Sequence, residues 1–188
     1  MSTVTRTWLG FAAIGVGMIH LALVISSPFP IAVVLTIFGV VELVWGVLAF
    51  MRERIVFPRL VLVGALVPVL FWALVVGAAT AFENPQLASS LGFTALGIAT
   101  LLELYIAAVI AIQLRRGVDF SAPSRTPAAG RYLLGLVLGG TVVALMTTPA
   151  LAATEAGVYA QPHGEHSDSF QPRERSADYE FDLPHTGH

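Results

Sequence analysis

The stretch Ile31–Phe50, IAVVLTIFGVVELVWGVLAF, constrains the rest of the chain more than any other. Its single charged residue is Glu42, near the middle. A run of this length matches a bilayer core of about 30 Å at about 1.5 Å of helical rise per residue. A central acidic residue costs roughly 2.5–3.5 kcal/mol on insertion scales, so it must face protein or trapped water rather than lipid. Glu42 therefore demands neighbouring helices, and other apolar stretches must supply them.

The sequence offers four more. The first span is expected over about 8–25, read as a retained helix rather than a cleaved signal peptide. Its n-region is weak, and Ser26-Ser27-Pro28-Phe29-Pro30 is a poor cleavage site. The same pentapeptide reads as a tight turn into the second span, 31–51. The third span is expected over 60–82 with a kink at Pro68, a residue membrane helices tolerate. The fourth runs over 91–114 with Glu103 at its centre, and the fifth over 132–151. The fold class is thus all-α: a polytopic transmembrane helical bundle of two helical hairpins plus one C-terminal helix. The expected organisation is a four-helix unit over 1–116, a cytoplasmic linker over 117–130, a fifth transmembrane helix over 131–152 and a disordered extracytoplasmic tail over 153–188. Only 12% of the 188 residues are charged, against about 25% in soluble domains, which agrees with a membrane setting.

Arginine placement sets the orientation. With the N-terminus in the cytoplasm, Arg6, Arg52, Arg54, Arg59, Arg115, Arg116, Arg125 and Arg131 all fall inside, and the two short outer turns hold none. The ten basic residues are all arginine, a bias typical of GC-rich bacterial genomes, so the expected location is a bacterial plasma membrane. No basic surface points to nucleic acid. Cysteine is absent, which excludes disulfides, thiolate metal sites and thiol catalysis.

Three ionisable residues fall at similar depth: His20, Glu42 and Glu103. Neighbouring hairpin helices would bring His20 and Glu42 within hydrogen-bond reach, directly or through water. One reading is a proton-relay or ion site, since intramembrane ionisable groups mark pathways. The other is a His–Glu hydrogen bond that only holds helices together, worth about 0.6 kcal/mol. Bis-histidine haem ligation needs two membrane histidines where this chain has one, so no haem is expected. Glu42-Leu43 and Glu103-Leu104 sit mid-span in helices of the same direction, a faint sign of a parallel repeat. Gly15, Gly17, Gly39, Gly46 and the Gly135-x-x-x-Gly139 pair would permit close helix approach, so the fifth span is expected to dock.

The tail carries the remaining four histidines in a repeated pattern. Pro162-His163-Gly164-Glu165-His166 and Pro184-His185-Thr186-Gly187-His188 are both P-H-x-x-H. His163, His166, His185 and His188 could ligate one ion, with Glu165 and Asp168 adding oxygens, and the absence of Met and Cys favours Cu²⁺ or Zn²⁺ over Cu⁺. Ala150-Leu151-Ala152 forms an A-x-A pattern that would permit release of the tail; the competing reading is an uncut anchor. No nucleophile elbow, zincin or phosphate-loop motif occurs, so no enzyme is expected.

Gly17-Met18-Ile19-His20-Leu21, Leu70-Phe71-Trp72 and Leu102-Glu103-Leu104 give the segment 15–116 a further character. It resembles a group of small multi-pass membrane proteins from high-GC Gram-positive bacteria with no established activity. The resemblance implies His20 and Glu103 as candidate site positions. Three functions follow as expectations: divalent metal binding or delivery at the outer face, an accessory role in a larger membrane complex of respiratory type, or small proton- or ion-coupled transport, which a chain of five helices would support by homo-oligomerising.

Overall fold

The computed structural model describes residues 1–52, 54, 55, 57–83, 92–120 and 128–159. Among these it is helical and contains no strand. The helices are α1 (Thr3–Leu23), α2 (Phe29–Met51), α3 (Pro58–Ala81), α4 (Phe93–Arg115), α5 (Ala129–Ala152) and α6 (Glu155–Tyr159). The first five are long and apolar enough to cross a membrane. Each lies within a few residues of its expected span. The short α6 falls where the expected tail begins, and the tail histidines lie outside the described residues.

Local chemistry sets the helix ends. Ser2 caps α1 by accepting a hydrogen bond from the Thr5 N–H at 3.1 Å. Ser27 donates its hydroxyl to the Leu23 carbonyl at 2.7 Å, satisfying a free acceptor at the end of α1. Pro58 opens α3, where its missing N–H costs nothing. Gly117, at φ 64°, takes the left-handed conformation just after α4. The helix α3 continues through Pro68, which is buried.

The least apolar of the five long helices occupies the centre. α1 is less apolar than α2 or α3, yet most of it is buried, while only a small part of each of those two is. The other helices shield α1, so its sequence needs small size more than hydrophobicity. Gly10, Ala12, Ala13, Gly15 and Gly17 supply it. α1 packs against α2, α4 and α5, while α3 packs against α4.

Glycines fix the directions. Gly10 faces Gly46 and Gly17 faces Gly39, so α1 and α2 are antiparallel. Along α5, Gly135 meets Val4, Gly139 meets Trp8 and Gly140 meets Phe11, so α5 runs parallel to α1. The Trp8 indole N–H donates to the Gly135 carbonyl at 2.7 Å, and α5 docks on α1 as expected. Gly92 lies against Leu23, at the far end of α1, so α4 runs antiparallel to α1. The ends of α2 and α4 and the starts of α1, α3 and α5 therefore share one side, and Arg6, Arg52, Arg54, Arg59, Arg115, Arg116 and Arg131 gather there.

The expected repeat is only partial. α2 and α4 run in the same direction, each with a mid-helix glutamate, and α4 packs closely on α1. In a true repeat α2 would pack equally on α3. Instead these two approach through the rings of Phe38 and Phe71, edge to face at 6.1 Å, and a groove opens beside that contact.

Candidate intramembrane polar site

His20 lies in the last turn of α1 and Glu42 near the middle of α2, six residues out of register by the glycine pairing. That offset is about 9 Å at helical rise. Each side chain leans toward the N-terminus of its own helix, and in an antiparallel pair those directions converge. His20 Nδ1 and Glu42 Oε2 consequently meet at 2.7 Å. Glu103 enters from α4, with Oε1 3.7 Å from His20 Nε2. One ligand-type atom from each of the three residues lies within 4.8 Å of the other two. The expected convergence of His20, Glu42 and Glu103 is therefore present.

Two of the three residues are sealed from solvent: His20 is 0% exposed and Glu103 1%. His20 Nε2 and both Glu103 carboxyl oxygens are buried without a hydrogen-bond partner. Such orphaned atoms are costly in a low-dielectric interior, at about 1–3 kcal/mol each and more when charged. A His–Glu hydrogen bond serving only to hold helices together would use Glu42 alone. Glu103 is not needed for that bond.

The 3.7 Å separation is too long for a hydrogen bond. It is close to the spacing, about 3.4 Å, of two ligand atoms around a tetrahedral ion bound at 2.0–2.2 Å. Glu42 on the opposite ring nitrogen matches the carboxylate–histidine pairing that orients a metal-ligating imidazole. Nδ1 is thereby committed to Glu42, and Nε2 is left aimed toward Glu103.

The groove between α2 and α3 reaches this cluster from the side. Its volume is about 420 Å³. Its walls are apolar, with Phe38, Val41 and Trp45 from α2 and Leu60, Gly64 and Ala65 from α3, and Glu42 and Glu103 are its acidic groups. Phe57 marks its arginine-side mouth in a left-handed backbone conformation, φ 55°, which is uncommon for a bulky residue.

Sequence reasoning found the three polar residues but missed the groove. Trp45, Phe57 and Gly64 look like ordinary span residues, and only the failure of α2 and α3 to pack closely gives them a role. His163, Glu165, His166, Asp168, His185 and His188 lie outside the described residues. No protein-family model, curated protein or solved structure matches the chain.

Proposed function

We propose that this is a multi-pass membrane protein that binds a divalent metal ion, Zn²⁺ or Cu²⁺, within the membrane. His20 Nε2 and the Glu103 carboxylate are the ligands, and Glu42 orients the imidazole through Nδ1. One observation carries the reading: the two potential ligand groups are buried, unpartnered and at a spacing suited to one ion, while the other ring nitrogen already holds a carboxylate. Nε2 of a ligating imidazole carries no proton, so the two carboxylates beside it lack a counter-charge, and buried charge needs one. A metal ion supplies it. The role is binding or delivery rather than catalysis. The arginine-rich side is cytoplasmic, and the paired P-H-x-x-H segments of the tail capture the ion on the outer side.

The test is purification in mild detergent followed by metal analysis and titration with Zn²⁺ and Cu²⁺. The expected result is one tightly held equivalent that His20→Ala and Glu103→Gln each remove, and that survives deletion of residues 160–188. Binding unchanged in both single variants would overturn the intramembrane site. Full loss on tail deletion alone would move the function to the tail.

A second reading, proton- or ion-coupled transport, is favoured by the groove, because it connects Glu42, in the cluster with His20 and Glu103, to the flank of the molecule. It predicts proton or cation flux in vesicles that Glu42→Gln and Glu103→Gln abolish.

A further inference from the structure

The α2–α3 groove joins three features rarely found together. It is lined by aliphatic and aromatic side chains, it reaches the partly exposed Glu42, and behind Glu42 lies a second acid, Glu103, almost wholly buried. Its volume of about 420 Å³ falls within the usual range for small-molecule sites, about 300–1,000 Å³. The geometry points to a membrane-dissolved organic amine as its occupant, with the hydrocarbon part between α2 and α3 and the ammonium group against Glu42.

The chemistry of the walls selects this class. A lipid acyl chain would satisfy the apolar surface but leave the partly exposed Glu42 against hydrocarbon. An anionic amphiphile would place like charge against two acids. An ammonium group against Glu42, the accessible acid, brings hydrogen-bond donors and the positive charge that offsets the excess acid of Glu42 and Glu103. Phe38 and Trp45 line the same wall as Glu42, and aromatic rings attract cations. Entry is lateral, beside the edge-to-face contact of Phe38 and Phe71 that joins α2 and α3, with Trp72 edge-on to Phe71 at 5.3 Å.

The inference rests on the cluster being a cation site and names a second kind of cation for it. Metal and amine neutralise the same charge, so each must weaken the other's binding.

The experiment uses the full chain in nanodiscs and reads the fluorescence of Trp45, which lines the groove. The probes are ω-bromoundecylamine, the matching ω-bromo alcohol and the matching ω-bromo acid. The amine is expected to quench in a saturable manner that Trp45→Phe removes, and the alcohol and acid are expected to give only the linear quenching of bilayer partition. The double variant Glu42→Gln/Glu103→Gln is expected to weaken the saturable phase by about tenfold or more. A Cβ on Gly64 would meet nothing within 4 Å, so Gly64→Phe tests the groove without altering the carboxylates. It should block the amine and leave metal binding, measured separately without amine, intact. Equal saturable quenching by the alcohol, or an amine affinity unchanged by the double variant, would overturn the proposal. Metal binding that persists while amine binding is absent would sink the amine alone. Amine binding without any metal binding would sink the metal reading alone.

Discussion

Gly17 and Gly39 approach so closely that a methyl group on either would lie within 3 Å of the other's carbonyl oxygen: 2.8 Å from Gly17 and 2.9 Å from Gly39. The contact lies one turn from His20, and it sets the register that lets His20 reach Glu42. Gly17→Leu or Gly39→Leu should therefore force α1 and α2 apart. The expected cost is about 1–3 kcal/mol from overpacking, read as a lower unfolding temperature in detergent, with loss of cation binding. Gly77→Leu is the control, because a Cβ there meets nothing within 4 Å, and it should leave both readouts unchanged.

Trp8 makes a comparable connection to α5. Its indole N–H reaches the Gly135 carbonyl, and its ring lies where a Cβ on Gly139 would stand, with Nε1 at 2.7 Å. Trp8→Phe removes the hydrogen bond but keeps most of the ring, so the expected loss is modest, about 0.6 kcal/mol. Gly139→Leu removes the room for the ring and should cost more. Denaturation in mixed micelles should rank Gly139→Leu below Trp8→Phe and both below the unaltered protein. The reverse order would mean that the hydrogen bond, not the close approach, holds α5.

Glu103 separates stability from function. Its carboxyl group is buried beside His20 and Glu42 without a hydrogen-bond partner, an arrangement that costs the protein when no cation is bound. Glu103→Leu should therefore raise the unfolding temperature of the metal-free protein, by the equivalent of about 1–3 kcal/mol. It should also abolish the further rise that added metal gives. Metal binding should weaken as the pH falls, because ligating groups must first lose their protons. A Glu103→Leu protein less stable than the metal-free parent would show that Glu103 is a structural acid.

Much of this was legible in the sequence, and the limits have physical causes. The spans are announced by apolar length, so five helices could be placed to within a few residues from composition and turn chemistry alone. The polar cluster was legible for the same reason: an acid inside an apolar run must find partners, and His20 and Glu103 were the ones at the right depth. The register between α1 and α2 was not legible. It depends on which glycines meet, and Gly10, absent from the expected set, proves to be the partner of Gly46. The groove was also invisible, because it arises from contact that α2 and α3 do not make. No single residue of Trp45, Phe57 or Gly64 announces it.

The junction after α5 bears on whether the tail is released. Ala150-Leu151-Ala152 has the composition of a cleavage site, yet Ala150 is 0% exposed and the helix continues to Ala152. Thr154, itself 3% exposed, donates its hydroxyl to the Leu151 carbonyl at 2.7 Å and turns the chain into α6, which packs back on α5 and α1. A protease that binds its substrate extended would have to unwind this end first. The tail is therefore expected to remain attached, and a C-terminal tag should migrate with the full-length chain in membrane fractions. Gly157 supplies the sensitive control. A Cβ there would lie 2.6 Å from the Leu151 carbonyl oxygen, so Gly157→Leu should lift α6 from the end of α5. If that variant yields a shortened, tag-free membrane form and the parent does not, the folded junction is what protects the bond after Ala152. A shortened form already present in the parent would refute the protection.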